Sequence, residues 1–195
     1  MINTTSSKFL QDLGLVSIAS YKDVMRTLHR TFMYYDCVIA GGAAVELLYG
    51  GLALKDIDFF ILAGPKPVPL NYIINIDKIG RNISQVGTVC VGGNSYSTEN
   101  TDFNDRIHTC IKIVVDGVDV DIIISKCSTV DELLDSFDCN MNMVFMDSIT
   151  LEPVGNKVNR LVFTKKVSDN RAERMLSKFR RFATNGAIPL QQPNQ

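Results

Sequence analysis

The sequence predicts a mixed α/β fold, a twisted sheet of roughly five strands with helices mainly on one face. Three observations carry that expectation. Apolar Val38, Ile39 and Ala40 run into Gly41-Gly42 and a helix-like stretch 43–49, after which a second strand carries Asp56-Ile57-Asp58. The run 107–115 alternates, turns at Asp116-Gly117 and returns as Val118-Asp119-Val120-Asp121-Ile122-Ile123-Ile124, the pattern of a β-hairpin. Segments with apolar residues at helical spacing alternate with these strands.

Residues 1–7 are small and polar and read as a frayed end. Ser20 or Asp23 can cap a first helix whose apolar positions Val24, Leu28, Phe32 and Tyr35 recur at helical spacing. Arg26, His29 and Arg30 fall on its other side, which places His29 on a solvated face. Beyond the Asp56 strand, Gly64-Pro65-Lys66-Pro67-Val68-Pro69 is a turn that ends it. Tyr72, Ile73, Ile76 and Ile79 predict a helix lying on the sheet and closing near Gly80. Between 87 and 104, short apolar Val89 and Val91 meet Gly92-Gly93-Asn94-Ser95 and a polar run, the expected mobile loop. Ser128-Thr129 cap a helix over 131–137, and 146–155 read as a strand and turn. Arg171, Arg174, Met175, Lys178, Phe179, Arg181 and Phe182 form a final short amphipathic helix ending at Asn185-Gly186. Residues 1–186 are thus expected to form one domain and 187–195, with its prolines and glutamines, a flexible C-terminal tail.

A chain of 195 residues that is 46% apolar and 21% charged can bury a core as a single soluble domain. Its formal charge of -1 sets up no global field for nucleic acid, so an RNA partner would have to be held by a local basic patch. Cys37, Cys90, Cys110, Cys127 and Cys139 are odd in number and lack C-x-x-C spacing, which points to reduced thiols; with only His29 and His108 beside them, a zinc site is not expected. No charged-then-apolar leader opens the chain and no apolar run approaches the ~20 residues of a membrane span, so a cytoplasmic protein without a membrane partner is expected.

Chemistry concentrates at the ends of the two strands flanking Gly41-Gly42. Side chains two apart on a strand share a face, so Asp56 and Asp58 project together while Ile57 and Phe59 point to the other side. Paired carboxylates repel unless a cation lies between them, and hard, oxygen-seeking Mg2+ or Mn2+ suits bare carboxylates and phosphate oxygens alike. Glycines without side chains let the backbone approach a phosphate closely. Together these residues read as a nucleoside triphosphate site. On the return strand Asp119 and Asp121 also share a face. Asp121 lies deeper in the sheet, whereas Asp119 is nearer the turn and suits a solvated position. Asp138 and Asn142, at i and i+4, share a helical face if that segment is helical; they serve either a ribose or phosphate, or merely a helix N-terminus and a core hydrogen bond.

The stretch from Gly41-Gly42 to Asp56-Ile57-Asp58 resembles the DNA polymerase β nucleotidyltransferase superfamily, whose signature is two glycines, or Gly-Ser, a helix and D-x-D on the next strand. Within it the sequence is similar to the head domain of class II CCA-adding enzymes and bacterial poly(A) polymerases. Asp138-Cys139-Asn140-Met141-Asn142 resembles their D-F-T-h-N segment, and the Arg171–Phe182 helix their E-D-P-L-R-h-L-R-A-h-R-F segment. The likeness runs from about Val38 to Gly186. It implies a metal-dependent transferase in which Asp56, Asp58 and Asp121 are metal ligands and catalytic groups, Gly41, Gly42, Asn142, Arg174 and Lys178 bind the nucleotide, Mg2+ or Mn2+ is the cofactor, and the acceptor is tRNA or another RNA, a protein hydroxyl or a small molecule. Three departures stand out. The family's Arg-Asp after the glycines is Val45-Glu46, its Arg pair is Ser136-Phe137, and of its nucleotide-templating pair only Arg174 survives. Coded CCA synthesis is therefore not expected. A second reading follows from the lost arginines, that of a catalytically weakened fold acting as a partner-binding or neutralising, antitoxin-like module; a third is an RNA-binding accessory protein using the Arg171–Arg181 face.

Overall fold

A computed structural model describes residues 18–51, 54–66, 83–91 and 101–186. The helix expected at 72–79, the loop around Gly92-Gly93, the polar start and the 187–195 tail lie outside the described residues.

The first helix, α1 (Ile18–Thr31), buries Tyr21, Val24, Met25 and Leu28, a stripe at helical spacing. It begins upstream of both Ser20 and Asp23, so neither caps it. Strand β1 (Cys37–Ala40) leads through Gly41 to the short helix α2 (Gly42–Leu48), and β2 (Asp56–Leu62) follows. Next come β3 (Ile83–Val91), the five-residue helix α3 (Thr101–Asp105), β4 (Ile107–Val115) and β5 (Val118–Ser125). Helix α4 (Val130–Asp135) starts at Thr129, whose side chain accepts from the Glu132 amide; Glu132 in turn accepts from the Ser128 amide. Two two-residue strands, β6 (Phe145–Met146) and β7 (Pro153–Val154), precede α5 (Asp169–Thr184), capped by Ser168 and closed by Gly186 at φ +73°.

The sheet is mixed and seven-stranded, in the order β3-β4-β5-β2-β1-β6-β7. Only β2 and β5 pair in parallel. The strands expected at 38–40, 56–62, 107–115 and 118–124 form its body, and the strand and turn expected at 146–155 adds the two short ones at one edge; β3 is a correction, because the stretch around Val89 and Val91, read as a short apolar piece before a loop, belongs to a nine-residue strand paired with β4. The mixed α/β class, with its flanking helices and C-terminal helix, is the one the sequence predicts.

One face of the sheet carries Ile57, Phe59, Val120, Ile122 and Ile111 against α1, α2 and the inner side of α5, where Met175 and Phe182 are buried. On the other face Phe60, Ile123 and Cys110 meet Leu133 and Phe137 from the α4 region. That second cover stops short of the strand ends bearing Asp56, Asp58 and Asp121, and the cleft opens there. Burial on both faces explains the unbroken Ile122-Ile123-Ile124 run.

Two local expectations are corrected. His29 is not solvated; its ring lies edge-on to Phe59 with centroids 5.5 Å apart, and its Nε2 is buried without a hydrogen-bond partner. Burial lowers its pKa, with Asp147 pulling weakly the other way. The chain at 138–142 is not an α-helix either, since Cys139 is extended and only Asn140–Asn142 turn, as a 3₁₀ segment. Cys139 instead bridges to Phe163 across the sheet edge.

Candidate active site

The site is a row of side chains across the sheet. Ala40 of β1 pairs with Asp58 of β2, Asp58 with Asp121 of β5, and Asp121 with Lys112 of β4. Neighbouring strands lie about 4.8 Å apart, so residues in one row on one face are bound to interact. Asp56 stands one step out in the next row, opposite Asp119. All eight residues singled out from the sequence, Gly41, Gly42, Asp56, Asp58, Asp121, Asn142, Arg174 and Lys178, line one cleft of about 800 Å³. Asp119 is exposed and does not line it.

The glycine turn is built against the carboxylates. Gly41 adopts φ +80° and ψ -137°, a combination left to glycine, and a Cβ there would stand 2.8 Å from Oδ2 of Asp58. Gly42 has more room, since a Cβ there would find its nearest neighbour, Oδ1 of Asp56, at 3.8 Å. The phenol of Tyr21 braces the approach to β2 from below, donating to the carbonyls of Leu54 and Lys55. Its pKa is pushed up to about 12 by burial and then by the charges of Asp56 and Asp119.

Electrostatics fit a cation. The carboxyl of Asp56 is held above the ordinary carboxylate value, first by desolvation between the cleft walls and next by the charge of Asp121, against a smaller opposing pull from Lys112. Asp121 is 7% exposed, and its Oδ2 accepts from Nζ of Lys112 at 2.6 Å. An all-oxygen donor set in which the charge of one carboxylate disfavours ionisation of Asp56 suits a hard divalent ion. Among the described residues, however, no group of three or more His, Cys, Asp or Glu side chains is already arranged to hold one.

The opposite wall is cationic and comes from α5. Arg171 grips Asp138 with two bonds, Nε to Oδ2 at 2.5 Å and Nη2 to Oδ1 at 3.1 Å. Asn142 donates to the same Oδ1 at 3.0 Å and to Sδ of Met175 at 3.7 Å. The pair anticipated at i and i+4 therefore meets without a helix. Burial alone would raise the Asp138 carboxyl, but the hydrogen bonds and charge of Arg171, aided by Asn142, hold it below the ordinary value. Arg181 bonds Oε1 of the buried Glu46, and Nζ of Lys178 lies 3.7 Å from that oxygen. Burial lowers the pKa of Lys178 despite Glu46. Arg174 is exposed in the cleft with no ion-pair partner among the described residues.

Sequence reasoning missed Lys112 and the role of Glu46. Lys112 was within reach, because a two-residue turn at Asp116-Gly117 pairs 115 with 118 and hence 112 with 121. Glu46 had no local signal, since its partners lie on α5, 132 and 135 residues further on.

No protein-family model and no curated protein matches this sequence. Among solved structures, the chain is similar to the CCA-adding enzyme of Bacillus stearothermophilus in complex with CTP, at 17% identity over 69% of this chain and 28% of that one, with a TM-score of 0.42. It is similar to the apo form of a CCA-adding enzyme at 16% identity, covering 72% of this chain and 29% of that one, TM-score 0.44. A tRNA nucleotidyltransferase complexed with a primer tRNA and an incoming ATP analogue is similar at 12% identity, over 71% of this chain and 34% of that one, TM-score 0.38. These are likenesses of fold. The chain spans between 28% and 34% of the length of these three chains.

Proposed function

We propose that this protein is a metal-dependent nucleotidyltransferase that moves a nucleoside monophosphate from an NTP to a hydroxyl acceptor. The observation that carries the reading is the Asp58–Asp121 row, with Asp56 beside it and the Gly41 turn packed against it, facing a cationic helix across one cleft. Asp56 and Asp58 would hold Mg2+ or Mn2+, with Asp121 as a third ligand. A divalent ion bound there supplies positive charge to the triphosphate and lowers the pKa of the attacking hydroxyl.

The protein's own groups do the rest. Gly41 and Gly42 leave the cleft floor bare of side chains, so phosphate oxygens can reach the backbone. Arg174 and Lys178 face the carboxylates and steady the phosphates, Lys178 by leaving Glu46 to Arg181. Asp121 takes the proton of the attacking hydroxyl as that oxygen bonds to the α-phosphorus and pyrophosphate departs. The acceptor is an RNA 3' end such as that of tRNA, a protein hydroxyl or a small molecule. Among the described residues no helix is long and apolar enough to cross a membrane.

A second reading has its own support. Four of the cleft's cations are engaged by carboxylates, Lys112 by Asp121, Arg171 by Asp138, and Lys178 and Arg181 by Glu46, which is the charge balance of a partner-binding, neutralising module with weakened catalysis. Incubating the protein with each α-labelled NTP and Mg2+ in a cell extract separates the two. Label entering RNA, protein or a small product supports transfer, and no incorporation of any of the four nucleotides, with Mn2+ as well as Mg2+, removes it.

A further inference from the structure

The residue that stands out beyond this reading is Lys112. Cross-strand Lys–Asp pairs on open sheets are common and weak. This one differs in two respects. Its acidic partner is nearly enclosed, with 10% of the Asp121 side chain exposed against 50% for Lys112, so the ammonium reaches inward from the open side of the sheet. By strand register the same ammonium lies in the row of Asp121 and Asp58, with Asp56 one step out. One tethered positive charge therefore sits on the third carboxylate of the Asp58–Asp121 row, beside the region a divalent ion would occupy. A divalent ion held there would compete with the ammonium for the Asp121 carboxylate, and the two would repel each other.

We propose that Lys112 is a tethered counter-cation of the cleft, a positioning residue that holds Asp121 toward β4 and must release it before all three carboxylates can share a divalent ion. The proposal rests on the metal-dependent reading and deepens it. Occupancy of the site and the Lys112–Asp121 bond oppose each other. Without an ion, Lys112 keeps Asp121 from repelling Asp58. With an ion bound, the lysine amine swings free into solvent.

The test uses Mn2+ alone, titrated into the full chain and followed by the electron paramagnetic resonance of the free aquo ion. Lys112→Met should bind Mn2+ about tenfold or more tightly than the natural protein, and Lys112→Arg about as the natural protein does, because the charge is kept. In an Asp121→Asn background the Lys112→Met change should have a much smaller effect, since the lysine acts through that carboxylate. In the unsubstituted protein, acetylation of Lys112 by an amine-reactive ester, read by peptide mass spectrometry, should rise when Mn2+ saturates. Equal Mn2+ affinity of the natural protein and a folded Lys112→Met, or unchanged labelling at saturation, overturns the counter-cation and leaves the metal site standing. Binding by Lys112→Met alone supports the counter-cation and refutes metal dependence of the natural chain. Mn2+ bound by neither overturns both.

Discussion

Gly41 lies directly against Asp58, close enough that a methyl group on its Cα would stand 2.8 Å from the carboxylate oxygen Oδ2. A methyl group on the next glycine, Gly42, would lie 3.8 Å from Oδ1 of Asp56. The two adjacent glycines are therefore unequal. Gly41→Ala is expected to cost about 2 kcal/mol for its positive φ and to displace Asp58, so both the denaturation midpoint and nucleotide transfer should fall. Gly42→Ala should leave stability nearly unchanged. A Gly41→Ala protein with full activity would show that the carboxylate has no fixed place in the chemistry.

Asp58 and Val120 are near neighbours on adjacent strands but belong to opposite faces of the sheet. Asp58→Asn keeps shape and removes a charge, so transfer should drop by orders of magnitude while metal-free stability holds or rises as repulsion with Asp121 and Asp56 is relieved. Val120→Asn buries an unpaired polar group and should cost about 3 kcal/mol with the carboxylates left in place. Parallel melting curves and transfer assays decide the matter. If the two substitutions reduce activity and melting temperature alike, Asp58 is structural.

The Asp138–Arg171 pair gives a pH dependence of definite sign. Because the folded-state pKa of Asp138 lies below its ordinary 3.8, the folded protein binds fewer protons than the unfolded chain just beneath that value. The pair's contribution is complete above pH 3.8 and is lost as pH falls through the folded-state pKa. Arg171→Met should abolish this component of acid unfolding and, by leaving the 3%-exposed Asp138 side chain unpaired, cost about 3 kcal/mol at neutral pH. Acid titration of the unfolding free energy in both proteins checks it, and identical curves would contradict it.

Gly51 is reserved for Glu46. A Cβ at Gly51 would overlap Oε2 of Glu46, the buried oxygen that has no hydrogen-bond partner. Gly51→Ala should push Glu46 off Arg181 and Lys178 and destabilise the protein by about 2 kcal/mol. In a Glu46→Ala background the same substitution should be nearly silent, so the two effects will not add. Additive losses in a chemical denaturation cycle would show that Gly51 serves the backbone and not the carboxylate.

Much of this site was legible because its parts are local. The glycine pair, the D-x-D alternation and the Asp-Gly hairpin each fix geometry within a few residues, and the two-residue period of a strand is enough to place the aspartates on a common face. What stayed hidden depends on packing between distant segments. His29 has charged neighbours on its helix that suggest solvent, yet Phe59 covers its ring. Residues 138–142 have helical spacing, but the bridge to Phe163 holds Cys139 extended and leaves one 3₁₀ turn. Glu46 finds its partner only when α5 returns to the glycine turn with Arg181.

The Asp116-Gly117 turn has both residues at positive φ, +50° and +78°, which suits a two-residue connection whose twist matches the strands it joins. That turn is the ruler of the candidate site. Counting back from it places Lys112 against Asp121, and the same β5 register carries Asp121 to Asp58. One residue added to the β4 side of the turn would slide the strand so that an isoleucine, Ile113, takes the place of the lysine opposite Asp121. The electrical balance of the cleft is thus written in the length of a loop that touches none of its atoms, and a change of length there retunes the carboxylates while every charged residue in the sequence stays the same.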